Sequence, residues 1–369
     1  MNISTDELLE VLRQPIPLTP NRVYRFYKGG ALIDRFRGAV EAQDTDYPED
    51  WVGSITAANN PGEGHPLDEG LSRITLPSHE QITLKTLLEQ FPEQMLGAEH
   101  VAKYGASSGL LVKLLDSSIR LPIHCHPTRL FAQKHFSSIF GKTEAWIVIG
   151  TRPIPGVEPY VMLGFKEGVE KDTFRRQVER QEIADMKAGL HRVPVKPGDI
   201  YYVKAGLPHA IGEGVFLIEA QEPTDFSIVA EWDGFPIDPQ DAHIGLGWDV
   251  ALDCFDFTNY RPQQLLDEYK LEPLLLRQDR GGEEWRLLGG KTAKYFGATR
   301  LDISGEMPID EAGFYIGIVT SGRGVLSGAF GDITLEAGDS FVCSAAVSHH
   351  AFYADSEQRL EIVRCLPPE

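Results

Sequence analysis

RVPVKPGDIYYVKAGLPHAI, residues 192–211, contains an apolar strand, a turn that ends in Gly-Asp, an aromatic-rich strand, and a small-residue turn that leads to histidine and alanine. The same pattern returns in DITLEAGDSFVCSAAVSHHAF, residues 332–352. Short strands separated by glycine turns are typical of a β-sandwich or β-barrel. Because this long unit occurs twice, we predict an internal duplication and a mainly β fold with two barrels of the same type.

Helical patterns interrupt the strands. We predict helices over residues 2–12, where Ser4 or Thr5 is the cap, over 128–135 and over 261–269, and a helical insertion at about 84–104 and 168–192. Short β-like runs, including ALIDRFRGAV, are predicted between residues 22 and 54. The predicted domains are an N-terminal barrel with the helical insertion (1–233), a mixed connector (234–289) and a C-terminal barrel (290–369).

Composition excludes several classes of protein. The chain has 369 residues and a formal net charge of −19, which argues against nucleic acid or an anionic membrane as its main partner. A small phosphorylated molecule is not excluded, since it responds only to local charge. The four cysteines are scattered without a C-x-x-C pair, which predicts a reducing cytoplasm rather than export. We see no signal peptide in MNISTDELLEVL and no apolar run near the roughly 20 residues of a membrane span.

The stretch LPIHCHPTRL places His124 and His126 two residues apart. In a strand these side chains share one face, and Cys125 faces the opposite side, where it is predicted to be core. Alone, the pair is equally compatible with metal ligands and with two polar residues on a solvated face. Glu144 and His209 lie in the same β-rich half of the chain. Three imidazoles and a carboxylate suit a divalent ion such as zinc, iron, manganese or nickel.

The order His-x-His, glutamate, and a distant histidine after a Pro-Gly-Asp turn resembles the ligand order of metal-binding cupins. Beyond this motif, the sequence is similar to the type I mannose-6-phosphate isomerases, a zinc-dependent cupin family. The resembling stretches cover most of the chain and are YKGGAL, PEDWVGS, GLLVKLLDSSIRLPIHCHP, GKTEAWIVI and KPGDIYYVKAGLPHAIGEGVFLIEAQEPTD. The resemblance implies two cupin (jelly-roll type) barrels with a helical insertion, in which the N-terminal barrel binds the metal.

The resemblance also implies roles for individual residues. The zinc ligands fall on His126, Glu144 and His209, and His124 takes the place of a fourth ligand that is usually glutamine. The site residues implied around this metal are Lys113 for proton transfer or ring opening, Lys142 near the substrate, and Asp225, which closes a Q-x-x-[ST]-D motif. Burial could lower the pKa of a lysine such as Lys113 towards that of a useful base.

One position departs from the family and makes the active site atypical. The family has an arginine four residues after the aspartate, and this chain has Val229, with Glu231 and Asp233 close by. The implied reaction is the interconversion of mannose 6-phosphate and fructose 6-phosphate through a cis-enediol. Two alternatives stay open: an isomerase or epimerase of another or unphosphorylated sugar, and a non-catalytic sugar-binding cupin. The implied cofactor is Zn²⁺ or another divalent transition metal, and the partner is a small sugar or sugar phosphate.

The C-terminal barrel has His349 and His350 at the position equivalent to His209. No histidine precedes them between Val250 and Ser348. Since potential co-ligands are lacking, we predict a degenerate, structural barrel there. The sequence does not predict the oligomeric state.

Overall fold

The computed structural model describes residues 3–60, 64–311, 313–355 and 358–369, and its fold is mainly β, as predicted. The strands that pair within the N-terminal half, together with the first strand, are β1–β16. Their bounds are Ile16–Pro17, Arg22–Val23, Glu49–Val52, Arg73–Thr75, Gln81–Thr83, Leu111–Asp116, His124–Cys125, Glu144–Thr151, Tyr160–Lys166, Leu190–Pro194, Ile200–Val203, His209–Ile211, Val215–Gln221, Ile228–Val229, Asn259–Tyr260 and Lys270–Leu271. The strands of the C-terminal half, β17–β26, are Leu274–Asp279, Gly282–Leu288, Gly297–Ile303, Glu306–Ile309, Tyr315–Ser321, Arg323–Gly328, Gly331–Glu336, Ser340–Cys343, His350–Ala354 and Leu360–Leu366.

Helices connect the strands or pack on them. Their bounds, α1–α10, are Thr5–Leu12, Ala31–Phe36, Leu84–Gln90, Pro92–Leu96, Ala98–Tyr104, Arg129–Phe136, Lys171–Arg180, Ile183–Ala188, Trp248–Ala251 and Pro262–Tyr269, with a 3-10 turn at Leu252–Cys254. Helices α3–α5 fall within the predicted insertion at about 84–104, and α7 and α8 fall within that at 168–192, where the strand β10 begins at Leu190. Ser4 caps the first helix by accepting a hydrogen bond from the Glu7 amide. Within the described residues, no helix has the length and apolar character required to cross a bilayer.

The N-terminal barrel consists of two sheets. The first sheet has the strand order β16-β11-β8-β13-β6-β3-β2, and the second has the order β10-β9-β12-β7-β14, with β15 beside β9. Apolar side chains from both sheets, including Val148, Leu163 and Leu217, meet in a common core. Polar residues on the inner faces of the same strands point into the barrel as well, because side chains alternate between the two faces of a strand.

The C-terminal barrel repeats this architecture. One of its sheets has the order β1-β24-β21-β26-β19-β18-β17, and the other has the order β20-β25-β22-β23. Leu301, Leu326 and Phe352 contribute to its core. The first strand, Ile16–Pro17, pairs with β24 and so ties the N-terminal segment to the C-terminal barrel.

The two repeated segments fold alike. In each, the first strand belongs to one sheet of its barrel and the second strand to the other: β11 and β12 in the first copy, β24 and β25 in the second. Gly198 and Gly338 occupy the turns with φ of 93° and 98°, a left-handed conformation that favours glycine. Asp199 accepts the Lys196 amide at 3.0 Å, and Asp339 accepts the Glu336 amide at 2.8 Å. This shared turn geometry explains why the Gly-Asp pattern occurs twice.

The segment ALIDRFRGAV is not a strand, and this prediction was wrong. Residues Ala31–Phe36 form a helix. Its N-terminus is satisfied by a distant side chain, because the Asp116 carboxylate accepts the amides of Gly30 at 2.8 Å and Leu32 at 2.9 Å. A capping group so far away in sequence cannot be read from local propensity.

The stretch 234–289, predicted to be a connector, contributes strands to both barrels. Its strands β15 and β16 pair with β9 and β11 of the N-terminal barrel. Its strands β17 and β18 instead join the C-terminal sheet, where β18 pairs with β19. The C-terminal barrel therefore begins near Leu274, before residue 290, because the edge of that sheet extends two strands further than the turn pattern indicated.

Candidate metal centre and active site

Three histidines meet inside the N-terminal barrel. The short strand β7 runs between β12 and β14, and His124 lies opposite both His209 and Val229. The ring centres of His124 and His209 are 4.2 Å apart, and that of His126 lies 4.9 Å and 4.8 Å from the two. One potential ligand atom from each ring lies within 4.8 Å of the others. Cys125 packs on the opposite side in the apolar core, as predicted.

Backbone carbonyls fix the orientation of each imidazole. The Nδ1 atom of His124 lies 2.8 Å from the Pro122 carbonyl, that of His126 lies 2.8 Å from the Phe226 carbonyl, and that of His209 lies 2.7 Å from the Leu207 carbonyl. A neutral ring that donates from Nδ1 has a lone pair on Nε2. The three Nε2 lone pairs are therefore available for a metal ion, an arrangement common among metal-ligating histidines.

Glu144 approaches this cluster from the other sheet. One carboxylate oxygen is 3.0 Å from the His126 Nε2 atom, and the other is 3.3 Å from the His209 Nε2 atom. Nε2 of both histidines and Oε2 of Glu144 are buried without a hydrogen-bond partner among the described residues. Lone pairs aimed at a carboxylate repel each other unless a cation lies between them. The donors present thus fit a divalent transition metal.

The ionisation of these groups agrees with that fit. Burial, together with the charge of Lys142, lowers the pKa of His126 to about 3. Burial and the neighbouring histidines also hold the pKa of His124 well below its ordinary value. Burial opposes ionisation of Glu144, but His126 and His209 hold its pKa well below the ordinary range. Neutral imidazoles and an ionised carboxylate are the forms that bind metal.

The cluster forms one wall of a cavity of about 530 Å³. The cavity lining also contains every other site residue predicted from the sequence, namely Lys113, Lys142 and Asp225. Strands of the first sheet, the segment around Tyr24 and Tyr27, and the loop around Asp238 and Asp241 complete the wall. This volume is in the range of small-molecule sites.

A network of buried charges lies in the cavity wall beside the metal cluster. The Lys113 ammonium is 2.9 Å from a Glu219 oxygen and 3.5 Å from a Glu49 oxygen. Arg25 pairs with the same Glu49 carboxylate at 3.0 Å and with Asp225 at 3.2 Å. All of these side chains are nearly inaccessible to solvent, so each charge depends on its partners.

The two lysines of the cavity have opposite electrostatic environments. Burial alone would lower the pKa of Lys113, but Glu219 and Glu49 raise it above its ordinary value. This direction is contrary to our expectation from burial, because the two paired carboxylates stabilise the ammonium form. Burial and the nearby Lys113 lower the pKa of Lys142. In the described parts of the chain, no carboxylate lies within 4 Å of the Lys142 ammonium, which has Ser227 Oγ at 3.4 Å.

Sequence reasoning missed Arg25, Glu49 and Glu219 as members of the site. Glu219 lies directly opposite Lys113 across β13 and β6, in the apolar runs VFLIEAQ and LLVKLLD. A charged residue inside such a buried strand is an indication that could have identified Glu219. Trp51 is fully buried and lies beneath the cations of both Arg25 and Lys113, about 5 Å from each.

Val229 lines the cavity and is 4% exposed. Glu231, in contrast, does not line it. Arg120 donates to the Glu231 carboxylate at 2.7 Å, and the Ile123 amide donates at 3.0 Å. Although Glu231 is close to Val229 in sequence, its charge is paired with Arg120 outside the cavity lining.

The C-terminal barrel has no comparable cluster among the described residues. His350 uses both ring nitrogens, one toward the Tyr315 hydroxyl at 2.8 Å and one toward the Ser348 carbonyl at 3.0 Å. His349 is exposed and lies 3.5 Å from Asp310. The described residues of this barrel thus offer no group of metal ligands, in agreement with a structural barrel.

A histidine and carboxylate cluster inside a two-sheet β-barrel is the arrangement expected of a metal-binding cupin. Known proteins that are similar to this chain include two named as mannose-6-phosphate isomerases, although no family model matches. "Probable mannose-6-phosphate isomerase GmuF" of Bacillus subtilis is 29% identical over 58% of this chain and 60% of its own length. "Putative mannose-6-phosphate isomerase YvyI" of the same bacterium is 28% identical over 90% of this chain and 94% of its own length.

Solved structures show the same fold. The mannose 6-phosphate isomerase of Bacillus subtilis covers 95% of this chain and 99% of its own, with a TM-score of 0.68 and 22% identity. A phosphomannose isomerase variant from Salmonella typhimurium has a TM-score of 0.70 at 16% identity and covers 96% of this chain. The resemblance to the mannose-6-phosphate isomerases that the sequence predicted is therefore confirmed as a likeness, and the predicted fold class is confirmed.

Proposed function

We propose that this protein is a metal-dependent aldose–ketose isomerase that interconverts mannose 6-phosphate and fructose 6-phosphate. The observation that carries the proposal is the buried cluster of His124, His126, His209 and Glu144, whose unpaired ligand atoms open into a cavity of about 530 Å³. The names of the relatives support the reaction, although the first of them matches over only 60% of its length. A small-molecule partner and a cytoplasmic location are part of the same proposal.

The four ligands proposed for Zn²⁺ are His124, His126, Glu144 and His209. A divalent ion held there would polarise the sugar carbonyl and stabilise the negative charge that develops on its oxygen. Zinc accepts this mixture of nitrogen and carboxylate donors, and so do other divalent transition metals.

Residues of the charge network are proposed to move the proton. In an isomerisation through a cis-enediol, the proton leaves C2 of the aldose and returns to C1. Lys113, which its two carboxylate partners keep as an ammonium ion, can donate a proton or stabilise charge but is a poor base. Asp225 is proposed as the proton acceptor, and Lys142 is proposed to bind a sugar oxygen. Each of these three lines the cavity.

The charges of the cavity lining favour a second substrate class. The cavity has Val229 in place of a cation, its Arg25 is fully occupied by protein groups, and its mouth has the exposed carboxylates Asp238 and Asp241. A phosphate dianion gains less in such surroundings than a neutral hydroxymethyl group. An unphosphorylated aldose is therefore the second candidate substrate.

A metal analysis combined with a substrate screen tests both candidates. Purified protein is analysed for bound metal and assayed with mannose 6-phosphate, free mannose and lyxose. We expect one metal ion per chain and the highest kcat/KM on mannose 6-phosphate. A higher value on a free sugar would support the second candidate. Stoichiometric metal with no turnover of any sugar would show a binding protein, and absence of metal would contradict both enzymatic candidates.

A further inference from the structure

Arg25 is the only arginine in the described lining of the cavity, and it lies in the irregular segment that follows the edge strand β2. Its guanidinium donates in three directions. Nε donates to Glu49 at 3.0 Å, one terminal nitrogen donates to the side-chain oxygen of Asn60 at 3.0 Å, and the other lies 3.2 Å from both oxygens of Asp225. The side chain is only 7% exposed.

These contacts connect Asp225 with Lys113, two residues that are proposed to act on the sugar. Asp225 follows the last long strand of the first sheet, and beyond Arg25 its carboxylate accepts the Asn59 amide at 2.8 Å. Glu49 accepts the Tyr27 hydroxyl at 2.7 Å and lies 3.5 Å from the Lys113 ammonium. The guanidinium thus lies between the carboxylate that faces the substrate and the carboxylate that holds Lys113.

The fork geometry of arginine is necessary for this connection. A lysine at the same place would present one point charge, so it would not reach Glu49 and both oxygens of Asp225 together. The ring of Trp51 supports the guanidinium at 4.9 Å and restricts its movement. Asn60 is itself held, because its amide donates to Glu69 at 2.7 Å.

We propose that Arg25 is a positioning residue that holds Asp225 and, through Glu49, Lys113 in the arrangement required for proton transfer. The inference rests on the proposed isomerase function. It gives the segment after the edge strand β2 a role in the active site, because Arg25 orients groups held by other strands of the same sheet.

A double-mutant cycle tests the proposal. Arg25→Lys, Asp225→Asn and the double variant are compared for kcat, KM, metal content and melting temperature. We expect Arg25→Lys to lower kcat by about 10- to 100-fold, as small misplacements of catalytic groups do, while the metal content stays at the wild-type value. Because Arg25 acts in part through Asp225, its substitution should slow the Asp225→Asn variant by a smaller factor than it slows the wild type.

Arg37 provides a matched control. It is also a buried arginine, 7% exposed in its side chain, and it pairs with Asp50 at 2.7 Å, but it does not line the cavity. Arg37→Lys is expected to keep kcat within about threefold of wild type, since it changes no cavity group. Three outcomes would overturn the inference: unchanged kcat in Arg25→Lys, effects of the two substitutions that multiply, or loss of metal in parallel with kcat. An inactive wild-type protein would instead contradict the proposed function.

Discussion

The Nε2 atom of His126 lies 3.0 Å from a carboxylate oxygen of Glu144, and neither atom has a hydrogen-bond partner among the described residues. Since the Nδ1 atom of His126 is engaged with the Phe226 carbonyl, the two facing atoms are both electron-pair donors. Leaving such groups buried without a partner costs free energy. The folded chain thus has a built-in preference for a cation at this point.

Removal of the metal should therefore weaken both activity and stability. Dialysis against a chelator is expected to abolish turnover and to lower the melting temperature, and Zn²⁺ should restore both. A ligand present at 100 times its Kd stabilises a protein by about 2.7 kcal/mol, which a thermal melt detects readily. Calorimetry with and without chelator provides the measurement. An unchanged melting temperature in protein shown to be metal-free would contradict the site.

His124 is expected to be a real ligand. The substitution His124→Gln keeps a side chain that can coordinate, whereas His124→Ala leaves the cluster with two imidazoles and Glu144. We expect metal affinity to decrease from wild type to the glutamine variant and further to the alanine variant, with at least about tenfold lost in the latter. Competition with a chromophoric chelator measures the order. His135→Ala, on the helix Arg129–Phe136 outside the cluster, is the control and should bind metal as wild type does. Equal affinity in His124→Ala and wild type would exclude His124 as a ligand.

The sequence was sufficient to predict the two barrels and the histidine cluster. Both depend on local patterns that the structure preserves: the Gly-Asp turn at Gly198 and Gly338, and the alternation of a strand that places His124 and His126 on one side of Cys125. The pairing of β12 with β7 then places His209 directly opposite His124.

The charge network could not be predicted in the same way. Arg25 and Asp225 are 200 residues apart, and Arg25 lies in a segment without regular structure. The direction of the Lys113 pKa likewise depends on Glu219 and Glu49, which reach it from neighbouring strands. Sequence patterns show which face of a strand a residue occupies, but the identity of the group opposite is determined by sheet pairing.

The two cavity lysines should respond differently to substitution. Lys113→Met leaves Glu219 and Glu49 short of a buried partner, so we expect it to lower the free energy of unfolding by about 3–5 kcal/mol. Lys142→Met removes a cation that has no carboxylate within 4 Å in the described residues, so its stability should change little while kcat/KM falls. Urea unfolding and steady-state kinetics on both variants measure the contrast. Equal destabilisation by both would show that the ion pairs of Lys113 contribute nothing.

Asp116 is expected to stabilise the fold without contributing to catalysis. Its carboxylate caps the helix Ala31–Phe36 by accepting the Gly30 and Leu32 amides. Asp116→Ala should lower the free energy of unfolding by about 1–3 kcal/mol, because it removes a cap and leaves buried amides unpaired. Asp44→Ala removes a more exposed neighbour of the same helix, which accepts the Ala31 amide at 3.2 Å, and should cost less. Urea unfolding measures both variants; if Asp44→Ala were the more damaging, the capping role of Asp116 would be wrong.

Glu49 should make the protein sensitive to acid. Burial opposes its ionisation, but Arg25 and Lys113 lower its pKa far below the ordinary value of 4.5. A carboxyl group whose pKa is lower in the folded chain stabilises the fold above pH 4.5, and this contribution is lost as the pH falls further toward the folded-state pKa. The loss amounts to at most about 1.4 kcal/mol per pH unit for one group. Glu49→Gln should therefore show a flatter dependence of unfolding free energy on pH between about pH 5 and pH 3, which urea titrations at several pH values will measure. Glu89→Gln, at an exposed helical position, should keep the wild-type slope; an identical slope in Glu49→Gln would mean that the ion pairs of Glu49 do not contribute to acid stability.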